Sequence, residues 1–150
     1  MATNVAYSGF EDRSTPLAGS ALVAEYKRAH LEMLAALQVM DDMGLEPPES
    51  LLKLSHTRLR ITRAANDSRA SLHKVLDVLS QLPSSTIARK VEVLEQLHAN
   101  VIAAARRHMT TRTHAAAQAE WQTYYKSHLQ VAQLWREVIQ RERQLLYPML

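Results

Sequence analysis

Apolar residues recur every three or four positions along most of the chain, which is the period of an amphipathic α-helix. This pattern predicts four long helices, over about 17–44, 49–83, 84–112 and 113–148. The breaks fall at Gly44, at the Ser84–Ser85 pair, which can cap a helix, and at prolines 47, 48, 83 and 148. No glycine or proline separates the third predicted helix from the fourth, so that junction is the least sharply marked.

The composition agrees with a helical chain. The 150 residues include only three glycines and five prolines, and helix-favouring Ala, Leu, Gln, Glu, Arg and Lys dominate. Long helices joined by short turns favour antiparallel neighbours. We therefore predict an all-α fold, an antiparallel up-down four-helix bundle over residues 17–150, preceded by a flexible arm at residues 1–16.

Charge, cysteine content and hydropathy limit the kinds of partner, metal site and cellular location that the sequence predicts. The formal charge is only +3, from 18 basic and 15 acidic residues spread along the chain, which argues against a nucleic-acid partner. Absence of cysteine excludes disulfides and thiolate metal sites. No apolar run approaches the roughly 18 residues of a membrane span, and the first residues do not resemble a secretion signal. These features predict a cytoplasmic protein that does not enter a membrane.

Polar residues interrupt the apolar stripes where a simple core would hold leucine. The stripes of the first, third and fourth predicted helices include His30, His98, His108, His128 and Glu142. In the second predicted helix, the middle stretch at 63–71 is small and polar, so it either faces water or borders a polar cavity. The interior is therefore expected to hold several imidazoles, each of which needs a partner when buried.

Two parts of the sequence repeat. Residues 73–83 and 138–148 both carry an acid at the fifth position, Asp77 and Glu142, and proline at the eleventh. The segments HLEMLAA at 30–36 and HANVIAA at 98–104 match at a similar offset. This agreement indicates one helical hairpin that has been duplicated.

With this repeat the chain resembles the hemerythrin-like (HHE cation-binding) family, whose four-helix bundles consist of two related hairpins. In that family the first helix of each hairpin supplies a His, and the second carries His-X-X-X-Glu followed shortly by Pro. The resemblance implies a site for one or two non-haem iron ions, with roles in dioxygen binding, iron handling or redox and oxygen sensing. It places five residues of this chain at ligand positions: His30, His73, Asp77, His98 and Glu142.

The spacing of these residues is compatible with such a site. Residues four apart, such as His73 and Asp77, share one face of a helix, and in an antiparallel bundle His30, His73 and His98 would lie at similar heights. Imidazole and carboxylate ligands suit iron, manganese or zinc. The alternative at each position is a core histidine bonded to a neighbouring side chain or to water.

The departures from the family pattern keep a second hypothesis open. Val138 stands where the motif has His, and Asp77 stands where it has Glu. The alternative is a metal-free bundle that acts as an interaction or regulatory module with an unidentified protein partner, or as a homodimer. Glu95 and His98 form half of a di-iron carboxylate motif, without a second copy. The sequence contains no phosphate loop, nucleophile elbow or cysteine nucleophile, so no catalytic residue is predicted.

Overall fold

Over residues 18–150, the part that the computed structural model describes, the chain is helical and contains no strand. The helices are α1 (Ser20–Asp41), α2 (Leu51–Ser80), α3 (Ser85–Thr111), α4 (His114–Ala119) and α5 (Trp121–Leu145), followed by a 3-10 turn (Tyr147–Met149). The predicted all-α class is therefore confirmed for this range. The predicted arm at 1–16 lies outside the described residues.

Local sequence features explain several of the helix ends. The Ser50 hydroxyl accepts a hydrogen bond from the Leu52 N–H at 3.2 Å, and the Ser84 hydroxyl accepts one from the Ile87 N–H at 3.3 Å. After α1, Gly44 has a φ of +67°, a left-handed conformation that glycine adopts without steric penalty. Gly44 and the Ser84 cap lie where the sequence predicts helix boundaries, and α2 begins after Ser50, close to the predicted start at residue 49.

The region after α3 differs from the prediction of one helix from 113 onward. The Thr113 hydroxyl caps a short helix, α4, by accepting a hydrogen bond from the Ala116 N–H. Helical backbone is then interrupted at Glu120, whose φ and ψ are −139° and 72°, and α5 begins at Trp121. At the other end α5 stops at Leu145, and Pro148 lies in the 3-10 turn. A threonine cap can begin a new helix without a glycine or proline nearby, so the sequence does not mark this break.

The first two helices run antiparallel. Lys74 contacts Glu25 at 3.0 Å, while Arg60, nearer the start of α2, contacts Glu32, further along α1, at 2.7 Å. Both pairs are exposed and contribute little to stability. His108, near the end of α3, lies 2.8 Å from Ser127 near the start of α5, while His98, earlier in α3, packs against Trp135 further along α5, so these two helices also run antiparallel.

Three apolar clusters fill the interior. The central one joins α1, α2, α3 and α5 and includes Met33, Leu37, Val101, Trp135 and Ile139, all at most 1% exposed. A second cluster packs the end of α2 and the residues after α5 against α1 and α3, and a third surrounds Trp121. None of the helices in the described range is long and apolar enough to cross a membrane.

Candidate functional site

Two of the five predicted ligands meet in the interior. His30 on α1 and Glu142 on α5 are both buried, and the Nε2 atom of His30 lies 3.3 Å from Oε2 of Glu142. The geometry of this contact does not make a hydrogen bond, and His30 Nε2 has no hydrogen-bond partner among residues 18–150. The pair thus places an acid and an imidazole side by side away from water.

Two tyrosines hold this pair in place. The Tyr26 hydroxyl donates a hydrogen bond to Glu142 Oε1 at 2.8 Å, and the Tyr147 hydroxyl lies 2.5 Å from His30 Nδ1. Burial, together with the nearby Glu142 carboxylate, raises the pKa of Tyr26 far above its ordinary value. Tyr26 therefore stays a neutral donor. We call Tyr26, His30, Glu142 and Tyr147 the buried polar cluster.

His98, a third predicted ligand, is also buried, on α3. Its ring packs edge-on against Trp135 with the centroids 5.4 Å apart, and its Nε2 atom has no hydrogen-bond partner in the described part of the chain. Desolvation by burial lowers the pKa of His98, and the Glu142 charge opposes that shift less strongly. His98 is therefore a neutral imidazole within electrostatic range of the buried polar cluster.

The remaining two predicted ligands, His73 and Asp77, are exposed on α2. The inward face of this part of α2 is taken by Leu72, Leu76 and Leu79, all buried. Each predicted ligand is one position beyond a buried leucine, and one helical step rotates the side chain by about 100°. The spacing of four correctly places His73 and Asp77 on one face, but that face points to solvent.

The described residues contain no group of three or more His, Cys, Asp or Glu side chains that could hold one metal ion. The two unpartnered imidazoles and Glu142 are of suitable ligand chemistry, but His73 and Asp77 do not join them. The five residues thus do not fit the predicted iron site as arranged, and iron binding stays a prediction.

A cavity with a volume of about 320 Å³ lies between α2, α3 and α5, beside the central apolar cluster. Its floor includes Leu37, Met40 and Trp135, all nearly inaccessible to solvent. The small side chains of Ala65 and Ala105 line its walls. These residues leave open a volume that larger side chains would fill.

Arg58 occupies one end of this cavity and is only 8% exposed. Its Nη1 atom donates hydrogen bonds to the Arg112 carbonyl oxygen at 2.7 Å and to the Tyr124 hydroxyl at 3.0 Å. The guanidinium also lies 5.5 Å from the centroid of the Tyr124 ring. These contacts fix a positive charge at the boundary between the cavity and the α3–α4 connection.

Two histidines line the same end. Burial lowers the pKa of His108 to about 4, and the charges of His128, Arg58 and Arg112 add to that effect. Its Nδ1 atom lies 2.8 Å from the Ser127 hydroxyl. Desolvation also lowers the pKa of His128, against the opposing effect of Asp41, which lies 2.9 Å from its Nε2 atom. Both imidazoles are therefore neutral hydrogen-bonding groups near neutral pH.

The cavity was only partly visible in the sequence. The small, polar stretch at 63–71 contributes Ala65, Asn66 and Arg69 to the lining, and Asn66 and Arg69 are also exposed, so the stretch both borders a cavity and faces water. The lining is, however, largely apolar. Arg58, the buried charge, lies outside that stretch. Nothing in the sequence predicts its burial, because an arginine in a helix is usually at the surface.

Comparison of the chain with models of known families, with curated proteins and with solved structures finds no match in any of the three.

Proposed function

We propose that this protein binds a small, largely apolar molecule in the cavity between α2, α3 and α5. The observation that carries the proposal is the cavity itself, about 320 Å³ in volume and floored by core side chains. Ligand sites in proteins typically occupy about 300–1,000 Å³ and combine apolar walls with a few fixed polar groups. Arg58, His108 and Tyr124 are such groups here.

The fixed positions of the walls support this function. Trp135 and Leu37 are fully buried, and Tyr124 is held by its hydrogen bond from Arg58. Side chains that are already buried or hydrogen-bonded do not have to be ordered when a ligand binds. Burial of an apolar molecule there removes apolar surface from water on both partners.

Binding of a neutral, environment-sensitive fluorophore, N-phenyl-1-naphthylamine, tests the proposal. We expect saturable fluorescence enhancement with the unmodified protein. Ala105→Phe puts a ring into the cavity and should weaken binding at least about tenfold, whereas Ala103→Phe, on the exposed face of α3, should leave it unchanged. Equal binding by both variants, with both folded by circular dichroism, would refute a site in this cavity.

We further propose that the four long helices form the predicted up-down bundle of two hairpins, with α1–α2 as one and α3–α5 as the other. The antiparallel contacts Glu25–Lys74 and Glu32–Arg60 support the first hairpin. Ligand binding in such a bundle fits the metal-free interpretation of the sequence, in which the protein is a regulatory module. A protein partner would then respond to the occupied cavity.

Metal binding is the second candidate, and one observation favours it. His30 and His98 each bury an Nε2 atom without a hydrogen-bond partner, within electrostatic range of Glu142. A metal would need these side chains to come closer together than they are. Elemental analysis of untagged protein from iron-supplemented cells tests this candidate, since near-stoichiometric iron that is lost in His98→Ala would support it. Metal contents far below stoichiometry would remove it.

A further inference from the structure

Arg58 is a buried cation without a counter-charge among residues 18–150. Only 8% of the surface of this residue is exposed. It forms no ion pair with any residue in that range. A buried charge is costly unless an opposite charge or several hydrogen bonds compensate it. The carbonyl of Arg112 and the hydroxyl of Tyr124 compensate only part of it.

The guanidinium of Arg58 keeps donors to spare. Both of its hydrogen bonds to residues 18–150 leave from Nη1, and arginine has five N–H groups on three nitrogen atoms. Within residues 18–150, none of its nitrogens is both fully buried and unpartnered, so Nε and Nη2 keep some accessible surface. Arg58 lines the cavity, which is where a ligand could reach these donors.

The charged residues among the described lining of the cavity have one sign. Arg69 and Arg106 also line it, are exposed, and form no ion pair with residues 18–150. None of the described residues that line the cavity is Asp or Glu. Three guanidinium groups without a lining carboxylate make the cavity attractive to an anion and unfavourable for a cation.

From these observations we infer that the ligand is an amphipathic anion, a carboxylate on an unbranched apolar chain, whose head group pairs with Arg58. This inference rests on the proposed function and names the class of ligand for the same cavity. A carboxylate accepts two parallel hydrogen bonds from a guanidinium, which matches the free donors of Arg58. The apolar chain would then lie along Ile61, Ala65 and Ile102 toward Trp135.

The shape of the cavity suits an elongated ligand. Arg58 and Arg69 both line it and are eleven residues apart on α2, a distance of about 16 Å along the helix axis. A medium-length acyl chain matches this span with its head group at Arg58. The cationic side chains of Arg69 and Arg106 at the surface would draw the anion toward the opening.

The first test compares three probes that share one chain and differ in head group: decanoate, decanol and decylammonium. Each probe is titrated against N-phenyl-1-naphthylamine bound to the unmodified protein, at probe concentrations too low for micelles or droplets, and loss of fluorescence measures displacement. We expect decanoate to bind at least about tenfold more tightly than decanol, because charge-assisted hydrogen bonds are the stronger kind. Decylammonium should bind most weakly, since three arginines repel it.

The second test uses variants of the arginines. Arg58→Met keeps much of the side-chain length and removes the charge, so it should bring decanoate affinity down to that of decanol without weakening decanol. Arg58→Lys keeps the charge but loses the paired donors, and should restore part of the difference. Arg63→Gln, exposed on α2 and outside the cavity lining, is the matched control and should have no effect.

The outcomes separate this inference from the proposed function. If decanoate and decanol displace the fluorophore equally, the cavity binds ligands but the preference for an anion is wrong. Failure of the fluorophore and all three probes to bind would overturn the proposed function and this inference with it. Should decanoate be preferred and the preference survive in a folded Arg58→Met variant, Arg58 is not the partner. The comparison on unmodified protein decides the ligand class even if that variant does not fold.

Discussion

Acidification from about pH 7.5 to pH 5 should destabilise this protein through His108. In the folded state, burial and the charges of His128, Arg58 and Arg112 hold its pKa at about 4. In the unfolded chain the pKa of a histidine is about 6.5. Between these values the unfolded chain takes up a proton that the folded protein does not, so the free energy of unfolding falls as the pH falls.

The structure sets the size of this effect. The stabilising contribution of neutral His108 to the free energy of unfolding is present in full above about pH 6.5. It declines as the pH falls and is lost completely below about pH 4. One pKa unit corresponds to about 1.4 kcal/mol, so the interval from 6.5 down to 5 removes about 2 kcal/mol. The lowered pKa values of His98 and His128 act in the same direction and add to the total loss.

Urea unfolding at the two pH values measures the effect, with His108→Gln as the diagnostic variant. Glutamine does not titrate, so the loss of stability between pH 7.5 and 5 should be about 2 kcal/mol smaller in this variant than in the unmodified protein. The variant also loses the contact with Ser127 and is expected to be less stable at both pH values. The readout is therefore the change in the free energy of unfolding between pH 7.5 and pH 5, compared between the two proteins.

His56 provides the control, because it is exposed. His56→Gln should retain the full pH dependence of the unmodified protein. If His108→Gln loses as much stability on acidification as His56→Gln does, then His108 is not a desolvated neutral imidazole and the reasoning about this end of the cavity fails.

Three smaller perturbations test other parts of the structure by the same unfolding measurement. Tyr26→Phe removes the hydroxyl that donates to buried Glu142 and should cost about 1–3 kcal/mol; a negligible change would mean that the carboxylate has another donor. Gly44→Ala should cost about 1–2 kcal/mol from the φ of +67° alone, since an added Cβ meets no atom within 4 Å; a stability gain would contradict this backbone conformation. Glu32→Ala, which breaks an exposed ion pair with Arg60, should cost less than about 1 kcal/mol, and a larger loss would indicate a structural role for that pair.

The helices could be predicted where the chain has strong local signals. Gly44 and the Ser84 cap are visible in the sequence and act as expected in the structure. The break at Glu120 was missed because Thr113 and Glu120 are ordinary residues, and Trp121 starts α5 with tertiary support: its indole N–H donates to the Gly44 carbonyl at 3.0 Å. A contact across the fold is not readable from local propensity.

The site could be predicted less well than the helices. The predicted ligand set implies that His30 and Glu142 lie near each other, and in the structure the two side chains are buried with Nε2 and Oε2 3.3 Å apart. His73 and Asp77 were expected to face the interior, yet the buried Leu72 and Leu76 beside them already occupy the inward face. Spacing shows that two residues share a face; the neighbouring apolar residues determine which face points inward.

The buried polar cluster has a consequence for how the chain folds during synthesis. Its bonds join α1 to residues far along the chain: Tyr26 and Glu142 are separated by 116 positions, and His30 and Tyr147 by 117. Until residues 142–147 have left the ribosome, the polar atoms of Tyr26 and His30 have no final partners, and α1 can only pack provisionally against α2. Non-local contacts of this separation slow folding, because the intervening chain must be ordered first. We therefore expect the N-terminal half to be vulnerable to misassembly and proteolysis until the last turn of α5 is made.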